Sequence, residues 1–293
     1  MPVKSHKDRL KLMPRSLSDA ELLAAKARQI RCDIIQMIAQ AGSGHPGGSL
    51  SAADIVAYLY FHQLRIDPAN PQWEDRDRFV LSKGHACPAL YAALAERGYF
   101  PKDVLWSLRD QASILQGHPD MLKTPGVDMT TGSLGQGFSC AVGMALGGKL
   151  ARKDFRVWAL LSDGEMQAGI VWEAAMAAAH YHLDRLIAIV DYNKLQVDGP
   201  VASVMNIEPL SEKWRAFGWD VSEIDGHSFP EIDAAFEKCM ALEGKPHVVV
   251  AHTIKGRGVS VMEGNLAWHA GAPEKDKVPQ YLAEIAGEKP NGS

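Results

Sequence analysis

Apolar and polar positions along the chain follow two periods, one typical of helices and the other of buried strands. From residue 18 to 41, apolar side chains recur three and four positions apart, which predicts a long amphipathic helix. Ser18 and Glu21 form a capping-box pattern at its start. Short apolar runs predict five strands, at 78–82, 157–161, 186–190, 219–224 and 247–252.

Helical patterns alternate with these runs. They lie at 50–63, 86–97, 135–151, 169–182 and 229–242, and a long irregular stretch is expected at 108–131. Repeated strand–helix units with continuous apolar strands predict an α/β fold, with a doubly wound, mainly parallel sheet and helices on both faces. We expect a basic N-terminal tail over 1–17, one domain over 18–275, and a C-terminal tail over 276–293 that is loosely ordered or wraps a neighbour.

Composition narrows the class of function. A net charge of −4 over 293 residues gives no electrostatic reason to expect nucleic acid or an anionic membrane as a partner. No apolar run approaches the roughly 18–20 residues that span a bilayer, and no hydrophobic segment of a secretory signal follows the basic residues near the start. The four cysteines form no C-x-x-C pair, so we expect reduced thiols and a cytoplasmic location.

Residues with metal-binding chemistry follow two of the predicted strands. Asp163 comes after the run 157–161, and Asn193 comes after the run 186–190. The helix 169–182 would connect these runs as neighbouring parallel strands, so their carboxyl ends would lie side by side. One carboxylate and one amide oxygen suit Mg²⁺, which usually takes few protein ligands and completes its shell with water and ligand phosphate. The pattern therefore predicts a diphosphate held to the protein through Mg²⁺.

Histidines and glycine-rich loops fall at the same predicted edge of the sheet. The loops 42–48 and 132–137 each precede a helix N-terminus, whose free N–H groups suit phosphate. Each such feature alone is more often structural, but the 163/193 pair together with several converging histidines favours a functional site. The remaining histidines are interpreted as surface or core residues: His6, His62, His180, His182, His227, His247 and His252.

These motifs together resemble the transketolase family. Asp163-Gly164-Glu165 with Asn193 is similar to that family's thiamine diphosphate motif, which begins with Gly-Asp-Gly and ends near an asparagine. Further segments resemble its histidine and glycine loops in the same order, at 42–49, 81–85, 117–119, 131–137 and 268–273. The resemblance covers roughly 17–275 and is to the N-terminal, diphosphate-binding domain, here as one subunit of a split transketolase.

The resemblance implies a role for each matching residue. Asp163 and Asn193 would ligate Mg²⁺ by their side chains and Leu195 by its backbone carbonyl, and Ca²⁺ or Mn²⁺ could replace Mg²⁺. The residues that would hold thiamine diphosphate are His85, Gly132, Ser133, Leu134, Gly164, Glu165, Asn193 and His269. His118 would hydrogen-bond the C1 hydroxyl of the donor sugar. His45 and His269 would face its C3 hydroxyl and help to remove the proton, a task suited to a group whose pKa lies near working pH.

Three positions depart from the family pattern. Ser162 replaces the leading glycine of the motif, where only the backbone needs to fit. Ser133 stands where many members have proline. Ala168 stands where many members have a glutamate of a proton-sharing network across the dimer interface, which puts that network in question here.

The implied reaction moves a two-carbon ketol unit from a ketose, phosphorylated or otherwise anionic, to an aldose. A full transketolase has two further domains, one of which carries the glutamate that activates the cofactor, and the segment 276–293 could supply neither. We therefore expect activity only with a partner C-terminal subunit that carries the pyrimidine-binding domain, as a heterotetramer with two of each chain.

Two other functions stay open at this point. The chain could be a subunit of another thiamine diphosphate enzyme, of the 2-oxo acid decarboxylating or deoxyxylulose phosphate synthase type, although His45, His118 and His269 suit a polyhydroxylated donor. It could also be a non-catalytic regulatory or binding subunit, which Ala168 favours and the intact metal pair disfavours. Pentose phosphates, branched sugars and sulfosugars are all compatible donors.

Overall fold

The computed structural model describes residues 19–287, and its centre is a parallel sheet. The strands in chain order are β1 (Arg78–Leu81), β2 (Val157–Ser162), β3 (Leu186–Tyr192), β4 (Leu195–Gln196), β5 (Gly199–Pro200), β6 (Asp220–Asp225) and β7 (His247–His252). Five of them form the sheet in the order β1-β2-β3-β7-β6, and every neighbouring pair is parallel. The short strands β4 and β5 form a separate antiparallel hairpin.

Helices cover the sheet and connect its strands. They are α1 (Asp19–Ala41), α2 (Pro46–Ser51), α3 (Ala53–Tyr58), α4 (Cys87–Arg97), α5 (Gln136–Leu150), α6 (Gly169–His180), α7 (Val201–Val204), α8 (Leu210–Ala216), α9 (Phe229–Ala241) and α10 (Val278–Ala286). A π-helical turn, Leu59–Gln63, follows α3. Short 3-10 turns occur at Gly84–Ala86, Lys102–Ser107, Gly164–Gln167, Leu266–Trp268 and Lys275–Lys277.

The strands are buried on both faces because helices pack on each side. Successive side chains of a strand point to opposite faces, and β2 shows this directly. Trp158 and Leu160 join the core that includes residues of α1, α3, α4, α9 and α10, whereas Ala159 and Leu161 join the core with residues of α5, α6 and α8. The predicted doubly wound α/β fold is therefore confirmed.

The predicted elements are present with shifted ends. The glycine-rich loop expected at 42–48 ends at His45, because α2 begins at Pro46, and proline's fixed φ suits the first position of a helix. The helix expected at 50–63 is therefore longer than predicted, breaks at Ala52, and ends in the π-helical turn. The stretch 108–131 contains neither helix nor strand, as predicted.

The segment after 275 differs from the prediction of a tail. Its first part forms α10, which packs on the core through the buried side chains of Tyr281 and Ile285. The backbone N–H of Ser260 also donates to Glu284 at 2.7 Å. Apolar side chains at helical spacing explain this packing, so residues 276–286 are part of the folded unit. The predicted N-terminal tail, the Ser18 cap and residues 288–293 lie outside the described residues.

Within residues 19–287, no helix combines the length and the apolar character that crossing a membrane requires.

Candidate active site

The carboxyl ends of β1, β2, β3 and β7 meet at a cavity of about 370 Å³. This is the edge of an open α/β sheet where ligands bind. The predicted site residues that line the cavity are His45, His85, Gly132, Leu134, Asp163, Gly164, Asn193, Leu195 and His269. Most of the residues identified from strand-end and loop positions are thus brought together in one place.

Asp163 and Asn193 lie at the ends of adjacent parallel strands, as predicted. The backbone N–H of Asp163 donates to the carbonyl of Asp191 at 3.4 Å, and the Asp163 carboxylate accepts the N–H of Gly164 at 2.7 Å and that of Lys194. Burial and the nearby charge of Asp191 raise the pKa of Asp163 to about 7. A divalent cation beside this carboxylate would favour its ionised form.

The other two predicted metal ligands lie on the same wall of the cavity. The Asn193 side-chain amide donates to Asp191 at 3.2 Å, while its oxygen accepts the N–H of Leu195 at 3.2 Å. The Leu195 carbonyl accepts from the Lys255 ammonium at 2.8 Å. One carboxylate, one amide oxygen and one carbonyl oxygen form a donor set that fits Mg²⁺. Over the described part of the chain, no group of three or more His, Cys, Asp or Glu side chains is arranged to hold a metal.

A buried ion pair lies beside the cavity, between Lys83 and Asp191. Both side chains are almost completely buried, at 1% and 0% exposure. Lys83 also donates to the carbonyl of Gly48 at 2.8 Å, and Asp191 accepts from the hydroxyls of Ser51 and Thr253. Burial opposes ionisation of Asp191, but Lys83 and these hydrogen bonds hold its pKa below its ordinary value. Because buried charges require such partners, the pair fixes the end of β1, α2 and the loop after β7 relative to β3.

Three histidines form a cluster in the cavity. The ring centroid of His45 lies 5.3 Å from that of His85 and 5.7 Å from that of His269, and the centroids of His85 and His269 are 5.6 Å apart. Burial and nearby cationic groups lower the pKa of His45 and of His269 to about 4. Burial and Lys83 also hold the pKa of His85 well below its usual value. All three imidazoles are therefore neutral near pH 7 and can accept a proton.

His45 keeps one unused hydrogen-bonding position. Its Nδ1 is buried and has no hydrogen-bond partner within residues 19–287. Buried polar atoms are normally paired, so an unpaired ring nitrogen on a residue that lines the cavity fits a site that receives a ligand.

Lys255 is a site residue to which the sequence analysis assigned no role. It lines the cavity at only 2% exposure, and its ammonium contacts Nδ1 of His269 at 2.7 Å. Burial and the charge of Lys83 lower the pKa of Lys255 to about 8. The sequence places Lys255 shortly after β7, at the ligand-binding edge of the sheet, and its burial there is what the sequence did not show. Because the charge of Lys83 is paired with Asp191, the ammonium of Lys255 is the buried cation of the cavity wall that suits an anion.

Three predicted site residues do not line the cavity. His118 is exposed, and its ring lies 3.3 Å from where a Cβ on Gly132 would be. Ser133 is exposed between two residues that do line the cavity. Glu165 is fully buried and accepts the N–H of Gly135 at 2.7 Å and that of Ser162 at 3.1 Å. Its carboxylate therefore supports the wall from behind, and its predicted contact with the cofactor would have to come from its backbone.

Two glycines at the start of α5, Gly135 and Gly137, permit close approach to α6 and to the end of β1. Gly135 has a φ of 86°, and a Cβ there would lie 2.3 Å from Cγ2 of Ile170. A Cβ on Gly137 would lie 2.8 Å from the Cα of Ser82. Side chains at these two positions would push the segment 132–137 away from α6 and from the end of β1, so these glycines set its position at the cavity.

Comparison with known proteins gives one consistent result. The family model described as "Transketolase, thiamine diphosphate binding domain" matches residues 22–292. The chain is 51% identical over 266 residues to the 6-deoxy-6-sulfo-D-fructose transketolase subunit SqwG of Clostridium sp. (strain MSTE9), covering 91% of this chain and 97% of that protein. It is 40% identical to an apulose-4-phosphate transketolase subunit of Phocaeicola vulgatus, covering 91% of this chain and 94% of that protein.

Solved structures show the same likeness over a part of their length. Transketolase from Leishmania mexicana superposes with a TM-score of 0.87 at 32% identity, covering 92% of this chain and 42% of that chain. Transketolase from Campylobacter jejuni superposes with a TM-score of 0.86 at 35% identity, covering 93% of this chain and 44% of that chain. The chain thus spans less than half the length of these solved enzymes, but nearly the whole length of the two relatives that are named as subunits.

Proposed function

Since the chain belongs to the transketolase family, as its thiamine diphosphate binding domain, we propose that it is the diphosphate-binding subunit of a two-subunit transketolase. The family resemblance found in the sequence is confirmed by these matches. The enzyme would transfer a two-carbon ketol unit from a ketose to an aldose, and the chain would act together with a C-terminal subunit. The names of the two subunit relatives, which the chain matches at nearly full length, support this division.

The observation that carries the proposal is the convergence of three kinds of group on one cavity. Three kinds of group lie at the carboxyl edge of the sheet: oxygen donors suited to Mg²⁺, the buried Lys255 suited to an anion, and neutral histidines suited to proton transfer. When bound, thiamine diphosphate supplies the carbanion chemistry that cleaves and forms the carbon–carbon bond. The protein's part is to bind, orient and exchange protons.

We assign the metal to Asp163, Asn193 and the Leu195 carbonyl, and the diphosphate to the surfaces around them. Gly164, His85 and the 132–134 turn would hold the cofactor, as the resemblance implies. Lys255 now donates to the Leu195 carbonyl, the same oxygen that we assign to the metal. A cation on that oxygen would repel the ammonium, so we expect Lys255 to move toward the negatively charged diphosphate.

The histidines would handle the donor's hydroxyl protons. His45 and His269 are neutral at pH 7 and would accept the proton of the C3 hydroxyl, while His118 would hydrogen-bond the C1 hydroxyl. A pKa near 4 makes a weak base, but the negative charge of a bound diphosphate raises the pKa of a nearby imidazole toward neutrality. Binding of the anion would therefore tune these residues for proton transfer.

The donor is proposed to be an anionic ketose. The names of the two subunit relatives specify a sulfonated ketose in one case and a phosphorylated ketose in the other. Both ligands present a negatively charged end away from the reacting carbonyl, and we place the recognition of that end mainly on the partner. We further propose two copies of each of the two chains and a cytoplasmic location, which fits the four free cysteines.

The test is the substitution Asp163→Asn in the full-length chain with its partner. It keeps the size of the side chain but removes the charge that a metal requires, so Mg²⁺-dependent binding of thiamine diphosphate, measured by calorimetry, should weaken by about tenfold or more. Ketol transfer by the complex should fall in parallel. The control is Asp103→Asn, at an exposed aspartate of the Lys102–Ser107 turn, which should behave as wild type. Unchanged binding and full activity of Asp163→Asn would overturn the assignment and favour a non-catalytic subunit.

A further inference from the structure

A buried chain of three polar side chains lies behind the cavity wall. Arg31 of α1 donates through both terminal nitrogens to Asp54 of α3, at 3.1 and 2.5 Å. His227, in the loop between β6 and α9, contacts the same carboxylate through Nδ1 at 2.6 Å. The three side chains are each 8–10% exposed. We call this set, Arg31, Asp54 and His227, the His227 relay.

The hydrogen bonds determine which nitrogen of His227 carries the proton. The backbone N–H of Ile254 donates to Nε2 at 2.9 Å, and an amide N–H can only donate, so Nε2 must accept. Nδ1 therefore carries the proton and donates to Asp54. Burial opposes ionisation of Asp54, but the hydrogen bond from His227 and the charge of Arg31 hold its pKa below its ordinary value. The relay thus runs from a fixed cation through a carboxylate to a neutral imidazole.

The relay touches both ends of the loop that carries Lys255. At the start of this loop, 253–258, Ile254 is held by His227. At its end, Gly258 lies against Arg31, since a Cβ at Gly258 would be 3.1 Å from Cδ of Arg31. Between these points, the ammonium of Lys255 reaches into the cavity and contacts His269 at 2.7 Å.

We propose that His227 is a positioning residue that fixes the backbone of the 253–258 loop, and through it the point from which the side chain of Lys255 enters the anion-binding cavity. None of the three relay residues lines the cavity, so the effect is transmitted through the backbone of Ile254. This assignment replaces the interpretation of His227 as an ordinary surface or core histidine. Its consequence for cofactor binding rests on the proposed function, whereas its consequence for the order of the loop does not.

Two substitutions at His227 test its two ring nitrogens separately, Nε2 as the acceptor from Ile254 and Nδ1 as the donor to Asp54. Gln places its carbonyl oxygen near the position of Nε2, so His227→Gln retains an acceptor for the Ile254 N–H. Asn reaches only to the position of Nδ1, so His227→Asn retains a donor for Asp54 and loses that acceptor. The control is His252→Asn, which changes the last residue of β7, where the histidine side chain is 41% exposed and pairs with Glu223 on the surface.

Two measurements on the full-length chain with its partner are compared across these variants. The first is amide hydrogen exchange of the peptide that covers 253–258. Loss of this one hydrogen bond should speed exchange there by about five- to tenfold in His227→Asn, and leave the strands of the sheet unchanged. The second is the affinity for thiamine diphosphate with Mg²⁺, which should weaken several-fold in the same variant. His227→Gln should stay within about threefold of wild type in both measurements, and His252→Asn should match wild type.

The proposal is overturned if His227→Asn exchanges at 253–258 as slowly as wild type. It is also overturned if His227→Asn and His227→Gln speed exchange equally throughout the sheet and lower the melting temperature alike, because that result describes a general loss of stability. If wild type itself binds no thiamine diphosphate, the proposed function fails, and the exchange comparison still decides the role of His227.

Discussion

His45 and His269 titrate far below an ordinary histidine. Their pKa is lowered from 6.5 to about 4, by burial first and then by neighbouring cationic groups. As the pH falls below 6.5, the unfolded chain takes up protons on these residues, but the folded protein does so only near pH 4. Proton uptake by the unfolded chain alone favours unfolding. These two histidines therefore leave the free energy of unfolding undiminished above pH 6.5 and lower it progressively as the pH falls toward 4.

Replacing His45 by Asn should flatten this pH dependence. In the cofactor-free protein, the drop in the free energy of unfolding between pH 7 and pH 5 should be smaller by about 1–2 kcal/mol in His45→Asn than in wild type. Urea unfolding at the two pH values measures the difference. His180→Asn, at an exposed histidine of α6, should retain the wild-type drop. An equal drop in His45→Asn and wild type would show that His45 is not held neutral by its surroundings.

At the residue scale, some site residues are predictable from the sequence because the order of the strands places them at one edge of the sheet. Whether a given side chain is buried cannot be predicted in this way. Asp163 and Asn193 were identified because two adjacent parallel strands must end at the same edge, whereas Leu195 followed only from the family resemblance. Lys255 was not assigned, because a lysine is expected on the surface unless tertiary contacts bury it. The family resemblance implied that Glu165 contacts the cofactor, but its carboxylate turns inward to three donors.

At the scale of elements, the loop after β7 depends on a glycine with no room for a side chain. Gly256 has a φ of 80°, and a Cβ there would lie 2.2 Å from the carbonyl oxygen of Met262. Its N–H donates to the carbonyl of Gly47 at 3.0 Å, which ties this loop to α2. The backbone on both sides of Gly256 therefore determines where Lys255 lies.

Gly256→Ala should destabilise this loop through two effects, backbone strain at a positive φ and the close approach of the new Cβ to the backbone of Met262. Gly244 is a matched control because its φ is 83° and a Cβ there would meet nothing within 4 Å. Gly244→Ala should lower the free energy of unfolding by roughly 1 kcal/mol, and Gly256→Ala by a further ~1–3 kcal/mol, the cost of overpacking. Urea unfolding measures the stability of the two variants, and calorimetry measures their affinity for thiamine diphosphate. Only Gly256→Ala should weaken binding. Equal effects of the two substitutions would contradict the close packing of the loop.

The five strands of the sheet were predictable because their apolar runs are long compared with the turns that follow them. The start of α2 was missed because glycine and proline usually mark loops, although Pro46 here occupies the first turn of a helix. The helix α10 was missed because its short apolar pattern becomes helical only where Tyr281 and Ile285 meet the core. Marginal segments of this kind depend on tertiary packing more than on local propensity.

At the scale of the whole molecule, the cavity has an apolar rim that suits a covering partner. Leu134 and Val197 both line the cavity and are 39% and 62% exposed. Large apolar side chains beside a polar site are typical of surfaces that bind another protein. This chain spans less than half of the solved transketolases, and we expect the partner subunit to complete the site over this rim.

Ketol transfer by the purified chain, before and after addition of the partner that copurifies with it from its host, tests the proposed function most directly. The assay contains thiamine diphosphate and Mg²⁺, an acceptor aldose, and either 6-deoxy-6-sulfo-D-fructose or apulose-4-phosphate as donor. We predict no transfer by either protein on its own and turnover of one of the two donors by the combined proteins. Full turnover by this chain alone would contradict the requirement for a partner, and the absence of ketol transfer by the cofactor-loaded complex from both donors would contradict the proposed activity.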